Sequence, residues 1–313
     1  MVWTDAVRNE LRLRFTGPIL FDEQAAAHAS IRAGGKIDAL IFPKNIRELS
    51  SVLEFLRRRN LPFLPVGNWT NLIVRDGGFR GAFISLSRLR KLSLRYQGEE
   101  ALILAEAGCP LADLVKMAVA ESLSGMEFST GIPGSVGGAI RMNAGAYGGE
   151  IKDIVEELRI IDLAGKISTV TSEELKSPFS VYKFSYRNFA LPADSLILAG
   201  MFRLRHGKAE EILTKMAEIL KARREKHPLE LPNAGSIFKN PADCPAGRMI
   251  EASGLKGSRI GDAQISEKHG NFIVNRGQAT ASEIIDLITM VREAVFQKTG
   301  HLLETEVKIV GES

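Results

Sequence analysis

A two-part α+β fold is predicted by three features of this 313-residue sequence. Helix and strand signals mix without strict βα alternation over the first two-thirds, a long helical pattern begins near Gly207, and a final helix is flanked by strand-like runs. Asn45 is placed to cap a helix that carries Leu49, Val52, Leu53 and Leu56 on one face. "LPFLPVG" follows as a short strand feeding a loop. β-rich runs recur at 82–86, 102–106, 155–162 and 197–204, and Ala164-Gly165 marks a hairpin turn after the third. Pro110 opens a helix in which Leu111, Leu114, Val115 and Ala118 repeat correctly. The long helix near Gly207 has Ile212, Leu213, Met216, Ile219 and Leu220 on its apolar side, stops before Pro228, and marks a domain boundary. The last helix starts at the capping box Thr280-x-x-Glu283 and buries Ile284, Leu287, Ile288, Val291 and Val295 between strands at 271–274 and 305–310. There is no internal repeat and no low-complexity tract.

With 45% hydrophobic and 25% charged residues, the chain has the composition of a globular protein, long enough for two or three domains. The net charge is only +4. Its basic clusters, 57–59 and 221–226, close predicted helices, where cations complement the helix dipole. That argues against a nucleic-acid partner and suits small anionic ligands. Cys109 and Cys244 match neither zinc nor thioredoxin spacing, so reduced, packed thiols are expected, with no disulfide and no metal site. The N-terminus lacks a signal pattern, and no apolar run reaches the ~18 residues of a membrane span. A cytoplasmic protein with no membrane partner is expected.

The stretch "GIPGSVGGAIRMNAGAYGGE", residues 131–150, holds seven glycines. One glycine suits a turn, but so many carry a large backbone-entropy cost for a single hairpin. A bound ligand against the main chain is the better reading, and successive amides would suit a diphosphate. Neither a Walker loop nor the G-x-G-x-x-G dinucleotide turn is present, since Pro133 interrupts the nearest window.

Four polar stretches stand apart: "SYRNF", "NAGSIFKNP", "SEKHGNFIVN" and "LLETEV". Singly, each has a structural reading. Arg187 can serve a surface ion pair, Ser236 a turn beside Gly235, Lys239-Asn240-Pro241 a turn, His269 a packed core, and Glu304 and Glu306 one face of an exposed strand.

In order with "IRAGGKIDALIFPKN", the glycine run and "ETEVKIVG", these stretches resemble the UDP-N-acetylenolpyruvoylglucosamine reductase (MurB) family over residues 31–311. The resemblance implies an FAD-binding domain of the vanillyl-alcohol-oxidase (PCMH) type followed by a smaller α+β substrate domain. The corresponding boundaries are an N-terminal segment 1–30, an FAD domain 31–205 in two subdomains split near 88, and a C-terminal domain 206–313. It implies that Gly67, Asn71, Gly131, Pro133, Gly134, Ser135, Gly137, Gly138, Asn143 and Gly145 lie along the FAD. It also implies the reaction: NADPH reduces the flavin, and the flavin then passes hydride to the terminal carbon of UDP-N-acetylglucosamine enolpyruvate, giving UDP-N-acetylmuramate for peptidoglycan, cell shape and division. Arg187, Ser236 and Glu306 are implied as catalytic residues, with Ser236 the proton donor, and Lys239, Asn240, His269 and Asn271 as substrate-binding groups.

Two positions depart from the family pattern. Trp69 stands where glycine is usual, and Arg141 where an aromatic is frequent. A flavin oxidase on the same fold would give no reason for Arg187, Ser236 and Glu306 to occur together. A silent nucleotide binder would be expected to have lost one of them. No histidine lies between Ala29 and Arg205, so the FAD is expected to be non-covalent. A monomer is expected, in the compact form with no inserted loop between Asn188 and Arg205.

Overall fold

The structure, a computed structural model, describes residues 3–313. Its residues form two compact units: one comprises the chain up to Leu20, Ala39–Asn68 and Gly81–Lys221, the other Phe21–Asp38, Trp69–Arg80 and Ala222–Ser313.

The first unit holds α1 (Asp5–Arg14), α2 (Ile46–Arg58), α3 (Leu111–Ala120), α4 (Val136–Arg141), α5 (Ser172–Lys176) and most of α6 (Ala209–Lys226). The predicted cap of α2 is present, the Asn45 side chain accepting from the Glu48 amide at 2.9 Å. Leu49, Val52, Leu53 and Leu56 are completely buried. Glu48 in turn accepts from the amides of Thr16, Gly17 and Lys44. Burial alone would raise its pKa, but those bonds prevail and hold it below the usual carboxylate range.

An antiparallel sheet runs in the order Ile167–Thr171, Val155–Asp162, Ser195–His206, Glu100–Glu106, Leu92–Gln97. Its three central strands contain three of the predicted β-rich runs. The Ala164-Gly165 turn is closed by Asp162 N–H donating to Lys166 O, with Gly165 left-handed at φ 82°. All but Leu86 of the remaining run lies in Phe79–Ser85, which pairs in parallel with Phe63–Val66, the strand of "LPFLPVG". Residues 191–194 join the Asn188–Ala190 and Ser195–His206 strands directly, leaving no insertion there.

In the second unit, α7 (Ala246–Ala252) and α8 (Ala281–Thr299) accompany an antiparallel sheet of order Asn233–Ser236, Phe272–Asn275, Ala263–Ile265, Arg259–Ile260. The capping box of α8 is complete, and Ile284, Leu287, Ile288, Val291 and Val295 are each at most 3% exposed. Asp76 adds a second cap, accepting from the amides of Ala281 and Ser282 and from the Ser282 hydroxyl.

Two local expectations are corrected. Leu213 is 53% exposed, so the buried stripe of α6 is narrower than its sequence suggests and rests on Ile212 and Ile219. Residues 305–307 do not continue a strand: only Lys308–Val310 pairs, in parallel with Leu72–Val74, and Thr305 makes an isolated bridge to Phe238.

Candidate functional site

The glycine-rich run belongs to the first unit and does two different things. Some of its glycines allow close packing. A Cβ on Gly137 would lie 2.8 Å from the Ala107 methyl, one on Gly145 2.6 Å from Gly149 O, and one on Gly67 2.3 Å from the Ser135 hydroxyl. Others face outward. Gly131 and Gly134 are left-handed at φ 73° and 133°, and the space over Gly138 contains only the Ser135 hydroxyl, at 3.4 Å. Gly131, Pro133 and Gly138 are exposed, giving a surface bare of side chains against which a flat ligand can lie.

The first amides of α4 are already bonded within the protein. Val136 N–H donates to Cys109 O, Gly137 N–H to Ala107 O and Gly138 N–H to the Ser135 hydroxyl. The amides of Gly134 and Ser135, one step earlier, have no acceptor among the described residues. Beside them the Thr130 hydroxyl is buried and also lacks a protein partner. A buried hydroxyl left unsatisfied next to a bare glycine surface fits a bound polar cofactor. Sequence reading missed Thr130, whose only signal is its place immediately before Gly131.

"SYRNF" is a hairpin in the same unit. Lys183–Ser185 pairs with Asn188–Ala190, closing on Ser185 opposite Asn188, so Tyr186 and Arg187 form the turn. Arg187 is left-handed at φ 55°, a conformation rare for a side chain of this kind, and its guanidinium lies 5.1 Å from the Tyr186 ring centre. Asn143, fully buried, donates to Ser185 O at 3.1 Å and to Glu150 Oε2 at 2.8 Å, and accepts from Lys152 N. Burial would raise the pKa of Glu150, but its bonds to Lys152 and Asn143 and the nearby charge of Arg187 hold it low. Glu150 is therefore a fixed negative charge near Arg187. In the same unit, burial pushes the Cys109 thiol up to about 11, consistent with an inert, packed cysteine.

The second unit brings Ser236 and Glu306 onto adjacent segments. Ser236 ends its strand opposite Phe272, after Gly235 at φ 73°, and Glu306 N–H donates to the next carbonyl, Ile237 O, at 2.7 Å. The Asn71 amide donates to Glu306 O at 3.1 Å, and Lys308 N–H donates to Asn71 O, so Asn71 fixes the main chain that carries Glu306. Lys239 pairs with Glu304, and Asn240 accepts from the Ala246 amide. Asn271, 3% exposed, accepts from Phe238 N–H at 2.9 Å and donates to Phe238 O at 2.8 Å.

His269 Nδ1 accepts from the Asn271 amide, placing any proton of the neutral ring on Nε2. Its ring packs at steep angles against Phe272 and His227, and burial holds its pKa down. His227 is pushed further down, to about 4, by burial and then by the charges of Arg223, His269 and Lys226. Its ordinary value is 6.5. A neutral His227 therefore contributes its full stability above pH 6.5, and that contribution is lost as the pH falls towards 4. Replacing His227 by Phe is expected to flatten the loss of folding stability between those values by about 2 kcal/mol, after allowing for partial exposure. Urea titrations at a series of pH values measure this, and an unchanged slope would contradict it.

Trp69, the departure in the early loop, is only 7% exposed, stands at φ 54°, and faces His28 with ring centres 5.3 Å apart. A left-handed site explains why glycine suits the position. Replacing Trp69 by Gly relieves about 1–2 kcal/mol of backbone strain but removes a buried indole that contributes about 3–5 kcal/mol. Packing wins, so the W69G variant is expected to be about 2 kcal/mol less stable in urea unfolding. A more stable variant would show that strain dominates.

Among the described residues no group of three or more His, Cys, Asp or Glu side chains is placed to hold a metal ion, and no helix is long and apolar enough to cross a membrane.

Residues 37–171 match the family model of an FAD binding domain, and residues 227–310 match that of the UDP-N-acetylenolpyruvoylglucosamine reductase C-terminal domain. The chain is 47% identical over 307 residues to the UDP-N-acetylenolpyruvoylglucosamine reductase of Syntrophus aciditrophicus, covering 98% of this chain and 96% of that protein. It is 42% identical to the enzyme of the same name from Syntrophomonas wolfei, covering 94% and 95%. The crystal structure of UDP-N-acetylenolpyruvylglucosamine reductase (MurB) from Thermus caldophilus aligns with a TM-score of 0.77 at 33% identity, covering 94% of this chain and 98% of that one.

Proposed function

Because the chain belongs to the UDP-N-acetylenolpyruvoylglucosamine reductase family, we propose that it reduces UDP-N-acetylglucosamine enolpyruvate to UDP-N-acetylmuramate with electrons from NADPH. It is an FAD-dependent oxidoreductase of peptidoglycan precursor synthesis, acting on a UDP-sugar enolpyruvate. The observation that carries the residue-level reading is the bare, partly unsatisfied surface from Thr130 to Gly138, which fits the FAD that the family requires.

Bound FAD supplies hydride chemistry. The chain supplies the rest. Gly131, Pro133, Gly134, Ser135 and Gly138 admit the cofactor to the main chain, while Gly67, Gly137 and Gly145 let the surrounding segments pack closely enough to form that surface. Hydride addition to the terminal carbon of the enolpyruvyl group leaves negative charge on the neighbouring carbon and its carboxylate. Arg187 meets that charge with a permanent cation and a two-pronged donor, and Glu306 steadies the enol-like species by donating from its protonated carboxyl or through a bonded partner. Ser236 gives its proton to the neighbouring carbon, where a carbanion-like centre is basic enough to take one from a hydroxyl. Lys239, Asn240, His269 and Asn271 shape the substrate pocket of the C-terminal domain.

The domain reading is an FAD domain over 31–205 and a substrate domain over 206–313, in a monomeric cytoplasmic enzyme. The test is to incubate the purified protein with NADPH and the enolpyruvate and weigh the product. A nucleotide sugar heavier by two hydrogen atoms is expected. Unchanged substrate, with NADPH consumed only in air, would support the oxidase instead.

A further inference from the structure

The turn that carries Arg187 is held by a side chain to which neither the sequence nor the family gives a role. The hairpin has only three residues in each strand, and its turn residue is left-handed. So short a ribbon is at best marginal on its own. Two side chains at the end of α4 supply what it lacks. Arg141, the last residue of α4, donates through Nη1 to the Asn188 side-chain oxygen and to Phe189 O, both at 2.6 Å. Asn143, two residues on, donates to Ser185 O from the opposite strand. Arg187 thus sits between strands that are both tied to the segment carrying the glycine run. The Arg141 bonds are short and charge-assisted, the kind that fix geometry. Burial pulls the guanidinium pKa of Arg141 downward, so its charge is partly withdrawn from water in favour of these neutral oxygens.

We propose that Arg141 is a positioning residue for the reaction, holding the Asn188 side of the hairpin so that the Arg187 guanidinium keeps one direction relative to the glycine run. This rests on the reading that Arg187 meets the developing carboxylate charge. In this chain a cation stands where an aromatic is frequent, and it bonds the hairpin directly.

The test uses flavin-loaded holoenzyme reduced with dithionite, mixed without air with UDP-N-acetylglucosamine enolpyruvate, and follows the return of flavin absorbance. R141A is expected to slow that return by about ten- to a hundredfold, the scale of a misplacement of around 1 Å. R187A is expected to slow it further, and the double variant to be no slower than R187A. N188A, which removes one acceptor, should act like R141A, and R141K should recover part of the rate. Hydrogen exchange on the same holoenzymes should quicken at residues 183–190 in R141A, while melting temperature and bound flavin stay close to those of the parent. Unchanged exchange at 183–190 in R141A overturns the clamp. Slowing that adds in full to that of R187A also overturns it, because Arg141 would then act independently of Arg187. A parental rate for R187A itself would instead overturn the role given to Arg187, and with it the catalytic half of this proposal, while the exchange measurement still decides whether the clamp exists.

Discussion

Replacing Ser236 by Ala is expected to slow proton-coupled reoxidation of the reduced flavin by the enolpyruvate by about a hundred- to ten-thousandfold, leaving reduction by NADPH unchanged. In the proposed role only the hydroxyl of Ser236 acts, and the change removes one oxygen atom from a partly exposed strand end. Folding stability should therefore move by no more than about 0.5 kcal/mol. The residue is aimed by its backbone. Gly235 is left-handed and the pairing register shifts between Asn233 and Ser236, turning the strand end out of regular alternation. Single-turnover measurements of each half-reaction separate the outcomes. Equal slowing of both halves would mean that the variant disturbs flavin binding, and Ser236 would not be the proton donor.

Removing the Asn271 side chain is expected to have the largest effect on stability. Its amide satisfies both the N–H and the carbonyl of Phe238, with the ring of Phe238 itself only 2% exposed. N271A leaves two buried main-chain groups without partners and opens a small void, at a cost of about 3–4 kcal/mol. A chain of this size should then melt about 5 °C lower. Asn271→Asp keeps the acceptor for Phe238 N–H but sets a buried carboxylate against Phe238 O, so at neutral pH it should be at least as unstable as N271A. An N271A protein of parental stability that bound substrate weakly would show that Asn271 acts on ligand and not on the fold.

The parts of the fold that sequence reveals are those decided locally. α8 announces itself through its capping box and five buried positions at helical spacing, and α2 through Asn45 and its apolar face. α4 does not. "VGGAIR" holds two glycines and is a poor helix former, and it is fixed by bonds from Val136 and Gly137 to Cys109 and Ala107, remote in sequence. Leu213 reads as core because its spacing is right, yet only tertiary packing decides how wide a stripe a helix buries. α1 lies in a stretch read only as an N-terminal segment. Its core contribution is Val7 and Leu11, too short a pattern to stand out among charged neighbours.

The site divides in the same way. The residue types at Arg187, Ser236 and Glu306 are visible in the motifs, but the left-handed turn at Arg187 and the segment beside Ile237 that carries Glu306 depend on long-range contacts. Asn71 and Asn143 are expected along the FAD only from the resemblance, and the structure shows their side-chain amides bonded to Glu306 O and to Ser185 O and Glu150. No local pattern distinguishes an amide that faces a ligand from one that braces a neighbouring strand.

The central claim is that this chain carries electrons through FAD to an enolpyruvyl ether. Anaerobic stopped-flow absorbance in the flavin band tests it directly, with NADPH added first and UDP-N-acetylglucosamine enolpyruvate second. Bleaching by NADPH followed by rapid return on adding the enolpyruvate is the predicted result. A flavin band that stays bleached until air is admitted, or no flavin band at all, would contradict it.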